Sequence, residues 1–219
     1  MFYTSNRNVD FVFCVDGTGS MAPCIESVKK DIRRFIDDCI REMTDIVSEI
    51  GDVRIKLIVF RDYGGDGDDA MQESPFFSLP ADRLEFEKYL SGIAAFGGKS
   101  GYANGLEALY FAMKSDFVTG RKDRQIIALF TNNDAVKLGT YQHLPNYPTD
   151  MVDEDELIEM WSFQSERDCK LRERSKRLVL FAPPETKYED LKCSLNRSIF
   201  YSVTKEDGFD NIEDIFRLY

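Results

Sequence analysis

The most chemically loaded stretch of the chain is Asp16-Gly17-Thr18-Gly19-Ser20-Met21-Ala22, which follows the apolar run Phe11-Val12-Phe13-Cys14-Val15. Asp16, Thr18 and Ser20 stand at i, i+2 and i+4. In a turn, oxygens at that spacing converge on one point, and a carboxylate joined by two hydroxyls suits a hard cation such as Mg²⁺. The same loop also matches a dinucleotide fingerprint, Gly17-x-Gly19-x-x-Ala22. Its context does not match. Asp16 places a carboxylate beside the pyrophosphate, the following helix is too long for a compact unit of ~30 residues, and Asp62, the acid after the second strand, comes far too late.

Other chemistries lack a required residue. Val15-Asp16-Gly17-Thr18 is similar to the tail of the Asp-x-Asp-Gly-Thr motif of haloacid dehalogenase-like phosphatases, but Cys14 holds the position of the nucleophilic aspartate. Gly98-Lys99-Ser100 ends like a P-loop whose first glycine would fall at Ile93. Asp66-Gly67-Asp68-Asp69 begins like a calcium loop, yet Ala70 and Phe77 stand where an EF-hand needs oxygen ligands, so a solvated acidic loop is expected. His143 has no serine or cysteine partner in a recognisable motif, and the chain contains no Gly-x-Ser-x-Gly elbow. Asp62 closes the second expected strand near the same rim, where it either bonds a water on the cation or pairs with Arg61 at the surface.

The scaffold that must position these residues reads as strand alternating with helix. Strands are expected at Phe11–Val15, Val53–Phe60, Gln125–Thr131, Arg177–Phe181 (stopped by Pro183-Pro184) and Ile199–Val203. A long helix is expected from Ala22 to Glu49, because Ile25, Val28, Ile32, Phe35, Ile36, Cys39, Ile40, Met43 and Val47 fall on one stripe. Further helices fit Asp82–Ser91, Asn104–Ser115, Asp153–Arg174 and Asn211–Leu218, and the run Lys170–Arg177 reads as a solvated helix face. The alternation predicts one α/β domain over residues 1–219: a doubly wound, Rossmann-like, mostly parallel sheet of about six strands with helices on both faces. Ligands of such sheets bind at the carboxyl ends of the strands, where the Asp16 loop lies. The long loop from Lys137 to Asp150, with Leu144-Pro145, Tyr147-Pro148 and nearby Trp161, is either part of a recognition surface or a cap packed over a helix. Cys14 and Cys39 read as core residues.

Composition narrows the function classes. With Lys+Arg 28 against Asp+Glu 39, the net charge of −11 disfavours nucleic acid as a partner. Apolar runs are strand-sized, so no membrane span is expected. Five scattered cysteines without a Cys-x-x-Cys pair, one histidine and no apolar leader at Met1–Arg7 point to a reduced, cytoplasmic protein without a structural zinc site.

Beyond the loop itself, the chain resembles the von Willebrand factor A family, whose metal-ion-dependent adhesion site opens with Asp-x-Ser/Thr-x-Ser after the first strand. The family's second loop, Gly-x-Thr-x-Thr-x-x-Gly-Ile/Leu, is matched in spacing by Gly98-Lys99-Ser100-Gly101-Tyr102-Ala103-Asn104-Gly105-Leu106. Its third, a Thr-Asp after a buried strand, is matched by Thr131-Asn132 after Ile126–Phe130. Phe11–Lys30 and Phe60-Arg61-Asp62-Tyr63 are similar to a bacterial branch associated with tellurite resistance and stress operons. The resemblance runs from about Val9 to Val203. It implies that Asp16, Thr18, Ser20, Ser100 and Asn132 hold Mg²⁺ or Mn²⁺, and that the cation recognises an Asp or Glu of a protein partner without catalysis. The chain departs from the pattern where Ser100 replaces threonine and Asn132 replaces aspartate. Asp134, two residues on, is a possible substitute. A metal-free scaffold of the same fold, or a metal-dependent phosphoryl-transfer enzyme for which no nucleophile or base is evident, are the alternatives.

Overall fold

The computed structural model of the protein describes residues 7–43, 50–162 and 169–203. Strand β1 (Arg7–Asp16) is apolar from Phe11 to Val15 because both faces are covered: Phe11, Phe13 and Val15 enter one core, and Val12 and Cys14 enter the other. Helix α1 (Ile25–Met43) buries its stripe, Ile25, Val28, Ile32, Phe35, Ile36 and Cys39, against the first of these cores. It starts three residues later than expected, because Gly19–Met21 form a separate 3-10 turn. The expected continuation to Glu49 lies outside the described residues, as does the expected helix Asn211–Leu218.

The other strands are β2 (Ile50–Phe60), β3 (Met71–Glu73), β4 (Phe77–Leu79), β5 (Arg124–Phe130), β6 (Lys176–Ala182) and β7 (Ser198–Ser202). Their order across the sheet is β3-β2-β1-β5-β6-β7, with β4 also paired to β2. Strands β2, β1, β5, β6 and β7 are mutually parallel, whereas β3 and β4 run antiparallel to β2. Helices α1 and α2 (Arg83–Gly92) pack on one face, and α3 (Gly105–Met113), α4 (Glu154–Ser162) and α5 (Lys187–Ser194) on the other. This is the mostly parallel, Rossmann-like α/β sheet that the alternation predicts. The chain moves from β1 to β2 on one side and later places β5 on the other. The loops after β1 and β5 therefore flank the topological switch point, where such sheets bind ligands.

Several element expectations are corrected. The segment Cys169–Ser175 is not helical, so the helix expected to reach Arg174 is too long and the run Lys170–Arg177 is no helix face. The cause is Gln125, whose Nε2 donates to the Lys170 carbonyl at 2.9 Å while its Oε1 accepts from the Arg172 amide at 2.7 Å. Those bonds engage backbone groups that a helix would use internally. Helix α5 has no counterpart among the expectations, since Tyr188 and Leu191 alone bury a face. Trp161 is a core residue, buried with its indole Nε1 donating 2.7 Å to the Asn196 carbonyl, and contributes no recognition surface.

Candidate metal centre

Asp16 ends β1 and is fully buried. Its Oδ1 accepts the Thr18 amide at 2.8 Å, and its Oδ2 accepts the Thr131 hydroxyl at 2.6 Å and the Asn133 amide Nδ2 at 3.0 Å. Burial raises the carboxyl above its ordinary value, opposed by these hydrogen bonds. Thr18 holds the N-cap position of the 3-10 turn, yet its side chain makes no capping bond. Its Oγ1 instead lies 3.0 Å from Ser20 Oγ and accepts Asn133 Nδ2 at 2.9 Å. Ser20 Oγ accepts the same nitrogen at 2.7 Å and donates to Asn132 Oδ1 at 2.7 Å. Three oxygens from three residues thus surround one point, which Asn133 Nδ2 marks.

The donor set fits a hard cation. In an octahedron with metal–oxygen bonds of about 2.1 Å, adjacent ligand oxygens stand about 3.0 Å apart; Thr18 Oγ1 and Ser20 Oγ are separated by 3.0 Å. Among the described residues no three His, Cys, Asp or Glu side chains gather into a metal cluster. The set therefore consists of one carboxylate completed by hydroxyls, a composition suited to Mg²⁺ or Mn²⁺ rather than to zinc.

The other expected ligands sit differently. Ser100 lies on a loop that packs against the first one: the Gly19 amide donates 3.2 Å to the Gly97 carbonyl, and a Cβ on Gly98 would come within 2.6 Å of Thr18 Cβ. Gly97 and Gly98, at φ 73° and 70°, allow that approach in a conformation side chains resist. The Ser100 hydroxyl, however, exchanges hydrogen bonds with the backbone of Tyr102 and makes none with Asp16, Thr18 or Ser20. Asn132 holds Ser20 from both sides, accepting its hydroxyl and donating Nδ2 to its carbonyl at 2.8 Å. Asp134 does not substitute for an aspartate at Asn132. Its Oδ1 accepts the amides of Ala135 and Lys187, the latter at 3.0 Å, which fixes the start of α5.

Asp62 and Arg61 form no surface pair, since both are buried. Asp62 Oδ1 accepts the Gly64 amide at 2.8 Å and Oδ2 the Ser100 amide at 3.2 Å. Asp66, from the stretch expected to be solvated, accepts the amides of Asp62 and Gly98. Both carboxylates therefore shape the Ser100 loop, while Asp68 and Asp69 are exposed as expected. His143 is exposed, and its loop is a cap: Tyr147 donates 2.9 Å to Glu107 Oε1 of α3 and stacks edge-on against Tyr63. The residues that sequence spacing missed are Thr131, as a direct partner of Asp16, and Asn133. The loop pattern pointed to Thr131-Asn132 without these roles, and two consecutive amides after a buried strand are the signal that could have added Asn133.

The chain matches no family profile. Over 93 residues it is 32% identical to an alpha-protein kinase, vwkA, of Dictyostelium discoideum, a stretch covering 42% of this chain and 13% of the kinase. Two crystal structures of the pilus adhesin SpaC from Lactobacillus rhamnosus GG superpose with TM-scores of 0.55 and 0.54 at 12% and 11% identity. They cover 89% and 90% of this chain and 28% of the adhesin. The chain spans less than a third of either relative, and the likeness to the adhesin is one of fold.

Proposed function

We propose that the chain is a cation-dependent protein-binding module of von Willebrand factor A type. Asp16, Thr18 and Ser20 hold Mg²⁺ or Mn²⁺, Asn132 orients Ser20 from behind, and Ser100 belongs to the rim loop. When bound, the cation supplies an open coordination position at which an Asp or Glu of a protein partner replaces water. The observation that carries this reading is the convergence of Asp16 Oδ2, Thr18 Oγ1 and Ser20 Oγ within 2.7–3.0 Å of one point at the switch point of the sheet.

The surroundings favour a macromolecular partner. Among the described residues the exposed large apolar side chains are Leu84, Phe96 and Tyr102, and the last two flank the rim loop. Exposed aromatics beside a polar centre are characteristic of protein interfaces. Lys99, exposed between them, would attract an acidic partner. The net charge of −11 disfavours nucleic acid, and among the described residues no helix is long and apolar enough to cross a membrane. An adhesin, itself named for binding, shares the fold. A cytoplasmic setting, the one that the scattered, unpaired cysteines favour, completes the reading.

A second reading, a metal-free scaffold, is favoured by one observation: Asn133 Nδ2 already stands among the three oxygens. Thermal melts separate the two. A ligand bound by the folded state alone stabilises by about 2.7 kcal/mol at one hundred times its Kd. Millimolar Mg²⁺ should raise the melting temperature of the wild type but not of Asp16→Ala or of the exposed-site variant Ser20→Ala. Equal shifts in all three would remove the cation from this loop, and no shift in the wild type would leave the scaffold.

A further inference from the structure

We infer that Asn133 is a built-in occupant of the cation site, its amide nitrogen standing where the cation goes, so that cation entry requires Asn133 to leave. This inference rests on the cation-binding reading above and sharpens it.

The geometry around Nδ2 is that of a coordination centre. An amide nitrogen carries two hydrogens, yet this one lies 3.0 Å from Asp16 Oδ2, 2.9 Å from Thr18 Oγ1 and 2.7 Å from Ser20 Oγ. Two hydrogens cannot serve three acceptors at full strength. What the three oxygens share is the partial positive charge of the NH₂ group. Ser20 donates outward to Asn132 Oδ1 and Thr131 donates to Asp16, while the Thr18 hydroxyl lies 3.0 Å from Ser20 Oγ and also bonds the Asp16 carboxylate. The lone pairs that accept from Asn133 are therefore the ones a cation would use.

Asp16 also explains why an occupant is needed. Its carboxylate is fully buried and forms no ion pair with a described lysine or arginine. The nearby Arg61 spends its donors on the carbonyls of Gly17, Asp69 and Ala94. Without a cation, Asn133 is one of four donors that satisfy the acid, with the amide and hydroxyl of Thr18 and the Thr131 hydroxyl. The backbone of Asn133 is held independently, by its amide donating 3.0 Å to Thr131 Oγ1. The side chain can thus withdraw while the loop stays.

The test compares wild type, Asn133→Ala and Asn133→Asp by Mn²⁺ binding, read from the resonance of free Mn²⁺, and by melting in EDTA. Removing the occupant should lower the metal-free melting temperature by roughly 2–6 °C in Asn133→Ala and further in Asn133→Asp, where two carboxylates face each other. Mn²⁺ should bind Asn133→Ala about tenfold more tightly than wild type, and Asn133→Asp more tightly still. Binding by the variants alone would support the occupant and show that it prevails in the wild type. Binding to all three without a gain would overturn the inference and leave the cation site standing. Absence of binding in every protein would overturn both. If Asn133→Asp does not fold, Asn133→Ala decides the question.

Discussion

Arg61 shows how much of the site's shape depends on one buried side chain. Its Nε donates 3.0 Å to the Gly17 carbonyl, Nη1 2.9 Å to Asp69, and Nη2 2.8 Å to Ala94, while Phe96 covers the guanidinium at 3.9 Å. Burial lowers its pKa, although the group stays charged. The planar fork ties the loop after β1, the acidic loop after β2 and the segment before the rim loop to one point. Replacing it by methionine removes a donor from each of three carbonyls, so Arg61→Met should lose about 3–5 kcal/mol in urea denaturation. The melting response to Mg²⁺ should vanish with it. If stability changes by less than about 1 kcal/mol, the three bonds do not organise the site. Lysine should rescue little, because a point charge cannot reach three carbonyls in one plane. Sequence spacing placed Asp62 and Arg61 at the right rim and left Asp62 either to bond a water on the cation or to pair with Arg61. Neither the guanidinium's three carbonyls nor the amides that Asp62 binds are visible in a pattern of residue types.

At the level of elements, α1 and the central strands follow from local patterning. Phe35 lies on the buried stripe of α1 and meets Phe11 and Phe13 edge-on, with ring centroids 4.5 and 5.5 Å away. Phe35→Ala should therefore cost about 3–5 kcal/mol, seen as a lower denaturation midpoint with an unchanged m-value. A loss near that of a surface position would mean that α1 is not anchored through this ring. The elements that spacing missed are short or weakly amphipathic. Strands β3 and β4 have three residues each, and α5 buries Tyr188 and Leu191 alone. The end of α4 was misjudged for another reason: Gln125, far away in sequence, engages the backbone of residues 170 and 172.

Among the described residues two large apolar cores lie on either side of the sheet, with a smaller cluster of Tyr63, Ala70 and Tyr147, and a titratable group lies beside the second core. Glu107 of α3 is fully buried; Tyr147 donates 2.9 Å to Oε1, and Oε2 finds no partner among the described residues. Burial pushes its carboxyl from an ordinary 4.5 up to about 7. The folded state therefore holds a proton that the unfolded state has released. The resulting stability is fully present below about pH 4.5 and is lost as the pH rises through about 7, at up to about 1.4 kcal/mol per pH unit between them. Glu107→Gln keeps an acceptor for Tyr147 without the charge, so its denaturation midpoint should vary less from pH 5 to 8. Parallel profiles for the two proteins would assign the titration elsewhere.

Sequence alone determined the parallel α/β sheet, the long amphipathic helix and the oxygen-bearing turn at Asp16, Thr18 and Ser20. Each of these is recorded within a few residues of chain: continuous apolar runs for doubly covered strands, a stripe every three or four residues for a helix, and alternating oxygens in a turn. Tertiary structure alone decided what faces those oxygens. Thr131 and Asn133 reach Asp16 across 115 and 117 residues, and they do so because β5 lies beside β1 in the sheet. The same packing set Asn132 behind Ser20 and sent Asp134 to the start of α5. Neighbouring residues in a loop point in different directions, and only the strand pairing beneath the loop fixes which of them enters the site.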